Sequence, residues 1–384
     1  MSFWGYPRED GSVGTRNYVG IIPTVVCTCD IAQDIANQVA GTVPFLHFQG
    51  CGHLQPDKEL VERTLINLGR NPNLAGVLLV GLGCEEVNID SVLEGIARSG
   101  KLVDKVVCQA IGSARLTIAE GSRVARQMVA EASKIRRERF DDSYLMFGIE
   151  CGGSDTTSGI GAHPVIGAAC DLLIENKGSV VFSETPEFFG AEHLLARRAE
   201  SPEVAQKILN IVGRYEKLIL AWGVDMRGAQ PSPGNIEGGL TTIEEKSLGA
   251  IVKGGTKPIK QVYEYGEKIE GKGLFIVDGP GHDAKSMTAL AAAGAQVIIF
   301  STGRGSPIGF PFVPVIKVTA NSVTYERMKE NMDFYVDLAK MENFDEMAQS
   351  LYNEALEVAS GKLTTAETLG LTNWGGIMTF GPQL

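Results

Sequence analysis

Residues 144–167 read YLMFGIECGGSDTTSGIGAHPVIG. An apolar run of strand length, Tyr144–Ile149, ends at the Gly-flanked Cys151. A turn dense in Gly, Ser and Thr follows, and then a helical stretch. The same strand, turn, helix order recurs along the chain. Apolar runs at Val19–Val26, Val43–Phe48, Val77–Val80 and Val106–Cys108 form a first series, closed by the helical segment Thr117–Arg139. The charged stretch Lys134–Asp142 reads as a boundary. Tyr144–Ile149, Val180–Ser183, Leu274–Asp278, Val297–Ser301 and Val315–Thr319 form a second series, with helical stretches at Val204–Ala221, Lys285–Ala295 and Tyr325–Leu338. Strands that alternate with helices imply parallel sheets. The expectation is α/β: two doubly wound, mainly parallel domains, residues 1–140 and 141–384, with a site in the cleft between them.

Composition narrows the function. The chain has 384 residues, 44% hydrophobic and 21% charged, which fits a globular protein. Glycine is in excess at 46 residues and clusters in short groups, as backbone close to a ligand requires. The formal charge is −11 and no basic patch stands out, so nucleic acid is not an expected partner. No apolar run reaches membrane-span length and the N-terminus lacks a signal-type apolar stretch, so a cytoplasmic location is expected. Seven scattered Cys do not form a disulfide framework. No Walker A motif, Rossmann fingerprint or G-x-S-x-G elbow is present, which disfavours nucleotide-driven phosphoryl transfer, hydride transfer and serine hydrolysis.

Cys51 in GCGH, Cys84 in GLGCEE and Cys151 in ECGGSD each follow a strand and sit beside glycine. Ligands in open parallel sheets bind beyond the carboxyl ends of strands. Three such thiolates could hold an iron–sulfur cluster with one open iron, a Lewis acid for a substrate hydroxyl. Cys27, Cys29, Cys108 and Cys170 have plain apolar neighbours and read as buried small residues. The turn after Cys151 offers Ser154, Ser158 and backbone N–H groups to an anion, with Asp155 and His163 as polar actors. In PSPGNIEGGLTTIEEK, residues 231–246, Thr241 with Glu244 and Thr242 with Glu245 fit capping-box spacing, and Lys246 follows as an anion holder or a base. Arg304 between glycines can offer a fork to a carboxylate or sulfonate, and His282 follows a further strand. Arg8, Asp10, Arg16 and Asn17 crowd the segment before the first strand, where a solvated charge run is the default reading.

The motifs GYPREDGSVGTRN, QGCG, GLGCEE, CGGSDTTSGIGAHP, PSPGNIEGGLTTIEEKSLG and FSTGRGSPIG together resemble the altronate/galactarate dehydratase family, from about residue 5 to residue 335. That resemblance implies removal of water from a sugar acid to give a 2-keto-3-deoxy acid. It also implies dependence on iron, as Fe2+ or a [4Fe–4S] cluster, or on another divalent metal. A neighbouring branch releases sulfite from 3-sulfolactate. Members of the family carry about a hundred residues ahead of the GYPRED motif, so a separate small subunit, and an oligomer, are expected here. Within this reading Arg8, Arg16, Asn17, Ser154, Ser158, Thr241, Thr242, His282 and Arg304 bind substrate, Cys51, Cys84 and Cys151 hold metal, and Lys246, His163 or His53 takes the Cα proton. Glu85 and Glu86 stand by to protonate the leaving hydroxyl or to act as ligands, and Asp155 assists. The alternatives are the carbon–sulfur lyase and a non-catalytic, two-lobed solute-binding module.

Overall fold

The computed structural model describes residues 1–372 and 374–383. Its strands are β1 (Ser2–Pro7), β2 (Val13–Gly14), β3 (Tyr18–Pro23), β4 (Thr42–Pro44), β5 (Leu74–Gly81), β6 (Leu102–Val107), β7 (Glu138–Asp141), β8 (Met146–Cys151), β9 (Ser179–Phe182), β10 (Ile259–Tyr263), β11 (Gly273–Val277), β12 (Val297–Ser301), β13 (Val315–Thr319) and β14 (Phe334–Tyr335). A four-stranded sheet runs β4–β3–β5–β6, and a seven-stranded sheet runs β10–β11–β9–β8–β12–β13–β14. Both are parallel throughout. Central parallel strands are covered on both faces and become continuous apolar runs. Val77–Val80 in β5 and Val297–Phe300 in β12 are accordingly buried at every position.

Two expectations fail locally. The helix expected over Thr117–Arg139 ends at Ala132, and Glu138–Asp141 is a strand. It pairs antiparallel with β1, Ser2 against Asp141 and Phe3 against Phe140, in a small sheet β2–β1–β7. The helix expected over Tyr325–Leu338 stops at Arg327, and β14 extends the large sheet. Asp333 is the cause: its carboxyl accepts from the backbone N–H of Lys317 at 2.7 Å and of Thr365 at 2.8 Å, holding the chain extended beside β13.

The two parallel sheets share one core. The helix Asp57–Gly69 buries Leu60, Val61, Leu65 and Leu68, and it packs on the helix Asp283–Ala293 behind the large sheet. That second helix is buried from Ser286 to Ala293, and its run of alanines lets the layers approach closely. Buried amides add direction. Asn73 Nδ2 donates to the carbonyls of Gln296 at 3.0 Å and Phe312 at 2.9 Å, while Asn71 Nδ2 donates to those of Ala291 and Ala295. Buried hydrogen bonds of this kind fix one relative orientation, because each is costly to leave unmade. The chain then returns after residue 373: Ile377 and Met378 enter the shared core beside Phe45.

No helix among the described residues is long and apolar enough to cross a membrane.

Candidate active site

Strand ends of the large sheet build the site, where open parallel sheets receive ligands. β8 delivers Cys151 and the loop to Ser158. A turn at Ser158–Ala162 then feeds the helix His163–Glu175. The helix Ile243–Ala250 and the turn after it lie against this loop and bring Lys246 and Lys253. A cavity of about 290 Å³ opens there, lined among others by Ser154, Asp155, Ser158, His163, Glu245 and Lys246.

Asp155 fixes the loop. Its Oδ1 accepts from Ser158 N at 3.0 Å and Thr157 Oγ1 at 2.7 Å, and its Oδ2 from Asn321 Nδ2 at 2.7 Å. The neighbouring loop approaches so closely that a Cβ on Gly303 would meet the Asp155 carboxyl at 2.2 Å, so only glycine fits there.

His163 is buried, and its Nδ1 lies 2.8 Å from the carbonyl of Gly249. A carbonyl only accepts, so Nδ1 carries the proton and Nε2 offers a lone pair. Nε2 has no hydrogen-bond partner among the described residues. Burial, helped by the nearby Lys253 ammonium, lowers the imidazole to about 4, so the ring is neutral at pH 7.

Lys246 is a cation. Burial alone would depress it, but Glu187, 3.0 Å away, more than reverses that and raises it. The sequence reading of Lys246 as a base is therefore corrected: it holds its proton and serves as a positive charge at the cavity wall.

Behind the wall lies a buried charged network. Cys151 Sγ is 2.9 Å from Lys253 Nζ and 2.9 Å from Glu187 Oε2, and Lys253 also pairs with Glu184. Burial pushes the Cys151 thiol well up and Glu184 up to about 8, whereas Lys246 and Lys253 overcome burial at Glu187 and hold it down at about 2. Glu184 is a non-glycine residue at φ +71, a strained conformation of the kind found at functional sites. The ligand atoms of Cys151, Glu184 and Glu187 lie within 4.8 Å of one another. One thiolate and two carboxylates would suit a single divalent ion. Lys253 stands on the same atoms, however, and already supplies the positive charge. The set does not suit a four-iron cluster, which calls on thiolates.

The three thiols expected to meet do not form one ligand group. Cys151 is buried in the network above, while Cys51 and Cys84 are exposed at the ends of β4 and β5 in the small sheet. The acids beside Cys84 brace loops. Glu85 accepts from Thr24 Oγ1, Leu82 N and Gly83 N, and these bonds outweigh burial and lower it, so it is no proton donor at neutral pH. Glu86 accepts from His53 N at 2.7 Å. His53 Nε2 accepts from Gly50 N at 3.0 Å, which removes it as the base.

The N-terminal cluster is structural. Arg16 is 5% exposed, binds Glu367 through two nitrogens, and donates to the carbonyls of Thr15, Val358 and Lys362, which leaves no donor for a substrate. Arg8 donates to Pro72 O, Arg16 O and Asn17 Oδ1, and Asn17 donates to Ala132 O. Thr242 caps its helix by accepting from Glu245 N at 3.1 Å, and Thr241 Oγ1 donates to the Glu245 carboxylate. Both hydroxyls thus serve the helix start. Ser154 remains at the cavity, whereas the Ser158 hydroxyl donates to Asp155 Oδ1 at 3.2 Å and accepts from Asp155 N at 3.1 Å, so it serves the loop. Arg304 lies over Gly153 and pairs with the exposed Glu237 at 2.7 Å, and His282 is exposed at the start of its helix.

Glu184, Glu187 and Lys253 were missed in the sequence, although FSETPEFF places two acids inside an apolar run at residues 182–189. Lys317, buried in β13 with Nζ 5.6 Å from the Phe300 ring and lowered to about 8 by burial, was also missed.

Comparison with known proteins agrees with this architecture. Residues 5–133 match the family described as D-galactarate dehydratase/Altronate hydrolase, second domain, and residues 142–379 match D-galactarate/Altronate dehydratase, C-terminal. The chain is 37% identical to altronate dehydratase of Bacillus subtilis (strain 168), over 95% of this chain and 75% of the relative. It is 34% identical to galactarate dehydratase (L-threo-forming) of Escherichia coli (strain K12), over 97% of this chain and 75% of the relative. It is 39% identical to the (2R)-sulfolactate sulfo-lyase subunit beta of Chromohalobacter salexigens, over 96% of this chain and 95% of the relative. With both of its parallel-sheet halves matched, the chain belongs to the D-galactarate/altronate dehydratase family of enzymes.

Proposed function

We propose that this protein is the large subunit of a cytoplasmic hydro-lyase that removes water from a sugar acid, altronate- or galactarate-like, to give a 2-keto-3-deoxy acid. The observation that carries the reading is His163: a buried neutral imidazole in the cavity wall, Nδ1 fixed by a carbonyl and Nε2 without a hydrogen-bond partner among the described residues. The substrate carboxylate is held by the Lys246 ammonium with Ser154, and Arg304, on the neighbouring loop over Gly153, adds a fork. His163 Nε2 takes the proton from Cα. Lys246 stabilises the negative charge that develops on the carboxylate oxygens as that bond breaks. The β-hydroxyl leaves as water with the proton that His163 has taken, and the enol left behind gives up its hydroxyl proton as it gains one at the β-carbon to become the keto acid.

Iron belongs to this reading, and when bound it supplies Lewis-acid polarisation of the leaving hydroxyl. The exposed thiols of Cys51 and Cys84 would be its donors in this chain, whereas Cys151 is committed to Lys253 and Glu187.

A second reading is favoured by one observation. The match to a sulfo-lyase subunit beta runs over 95% of that relative. The same proton abstraction with sulfite as the leaving group would be a carbon–sulfur lyase reaction on 3-sulfolactate. The word subunit in that relative's name also supports a separate small partner. A solute-binding module without catalysis is set aside, since the family is one of enzymes.

The test is to incubate the iron-loaded protein, with and without a small subunit, with altronate, galactarate and 3-sulfolactate. Formation of a 2-keto-3-deoxy acid supports the dehydratase, sulfite release supports the second reading, and turnover of none refutes both.

A further inference from the structure

The small sheet places a thiol at each of three consecutive strand ends. β4, β3 and β5 are neighbours in that order. Cys51 follows β4, Cys27 follows β3 in the turn Val26–Thr28, and Cys84 follows β5. All three are free and exposed. Adjacent strands stand ~4.8 Å apart, so the three strand ends from which these loops spring span about 10 Å.

The loops are stitched to one another. Val26 N donates to Gln49 O at 2.9 Å, and Glu86 N donates to Gly50 O at 3.2 Å. Thr24 Oγ1 donates to Glu85 Oε1 at 2.7 Å. Gly50 sits at φ +115, and a Cβ there would lie 2.2 Å from Thr24 O, so glycine alone lets the Cys51 loop rest on the Cys27 loop.

Two polar groups beside the thiols point to a ligand. His53 is 7% exposed. Its Nε2 accepts from Gly50 N, so the proton sits on Nδ1, and that buried donor has no partner among the described residues. Gln109 Nε2 donates to Cys84 Sγ at 3.3 Å. Hydrogen bonds to the sulfurs tune iron–sulfur clusters; the exposed Gln109 supplies one at Cys84, and the buried His53 Nδ1, two residues from Cys51, is a donor still without a partner.

We propose that Cys27, Cys51 and Cys84, without Cys151, hold an iron–sulfur cluster, with one iron left free of protein thiolate to meet the substrate hydroxyl. Only the use of that open iron rests on the lyase reading; the ligand set stands on the three loops alone. Cys27 is thereby reassigned from an apolar packing residue to a ligand.

The experiment is anaerobic reconstitution of the full chain with iron and sulfide. Bound iron and acid-labile sulfide, the visible charge-transfer band and the paramagnetic resonance of the reduced protein are then measured. Cys27→Ser, Cys51→Ser and Cys84→Ser are each expected to lose iron, sulfide and band to the level of the buffer blank, while Cys151→Ser keeps them. Thermal melting followed by circular dichroism checks each fold, and Cys27→Ala replaces Cys27→Ser should the latter melt early. A Cys27 variant that keeps the cluster, or a Cys151 variant that loses it, overturns the assignment. A parent chain that binds no iron or sulfide yet turns over a sugar acid overturns the cluster and leaves the lyase; a loaded chain that turns over nothing does the reverse.

Discussion

Replacing Lys253 by methionine removes the ammonium at the centre of the buried network and keeps most of the side-chain volume. Lys253 is fully buried and touches Cys151, Glu184 and Glu187. Breaking a buried pair by deleting one partner costs about 3–5 kcal/mol, because the other charge stays behind. The lower end of that range applies here, since Glu187 keeps Lys246 at 3.0 Å and Glu184 can take a proton. The pH dependence is specific. Glu184 sits at about 8 against an ordinary 4.5, because burial outweighs Lys253. The folded chain therefore keeps a proton that the unfolded chain releases, and the associated stability is full below pH 4.5 and is lost as pH rises to about 8. Above that pH the parent protein loses no more through this group. Without Lys253, Glu184 titrates higher still, and the loss continues at about 1.4 kcal/mol per pH unit. The difference between parent and Lys253→Met is thus about 3 kcal/mol and flat below pH 8, and grows above it. Urea unfolding followed by circular dichroism at pH 6, 7, 8 and 9 measures it. A difference under about 1 kcal/mol, or one that shrinks above pH 8, refutes the reasoning.

His163→Gln is expected to lower kcat by about 10²–10⁴-fold with an unchanged melting temperature, as loss of a general base requires. The acidic limb of kcat/KM should fall near pH 4, where His163 gains its proton, and a limb near the ordinary 6.5 would assign the base elsewhere. Lys246→Met is expected to raise KM for the acid substrate by about 10–100-fold, the value of a hydrogen bond to a charged group, in steady-state kinetics. Arg16→Met should cost about 3–5 kcal/mol in unfolding experiments and leave KM unchanged, because every donor of Arg16 is spent on Glu367 and carbonyls.

The architecture was readable because buried parallel strands are runs of Val, Ile and Leu bounded by turns; Val297–Ser301 and Val315–Thr319 have the bounds their apolar runs imply. What was unreadable depends on distant partners. Glu138–Asp141 is charged and becomes a strand only because β1 lies beside it. Phe334–Tyr335 leaves helical conformation because Asp333 reaches Lys317 and Thr365. The site divides in the same way. His163, Lys246, Ser154, Asp155 and Ser158 were visible because one Gly-rich turn and one capped helix carry them. The partners of Cys151 were not, since Glu184, Glu187 and Lys253 reach it from two further segments. Arg16 looked like an anion binder because a charge in sequence does not reveal that Glu367, 351 residues away, meets it.

The amide ladder of Asn71 and Asn73 has a practical consequence for dissecting the protein. These side chains, rooted in the amino-terminal half, satisfy carbonyls of Ala291, Ala295, Gln296 and Phe312 in the other. Cutting the gene near codon 140 would strip partners from both fragments at once and bare the apolar seam between them. Neither piece would be a sound stand-in for the whole.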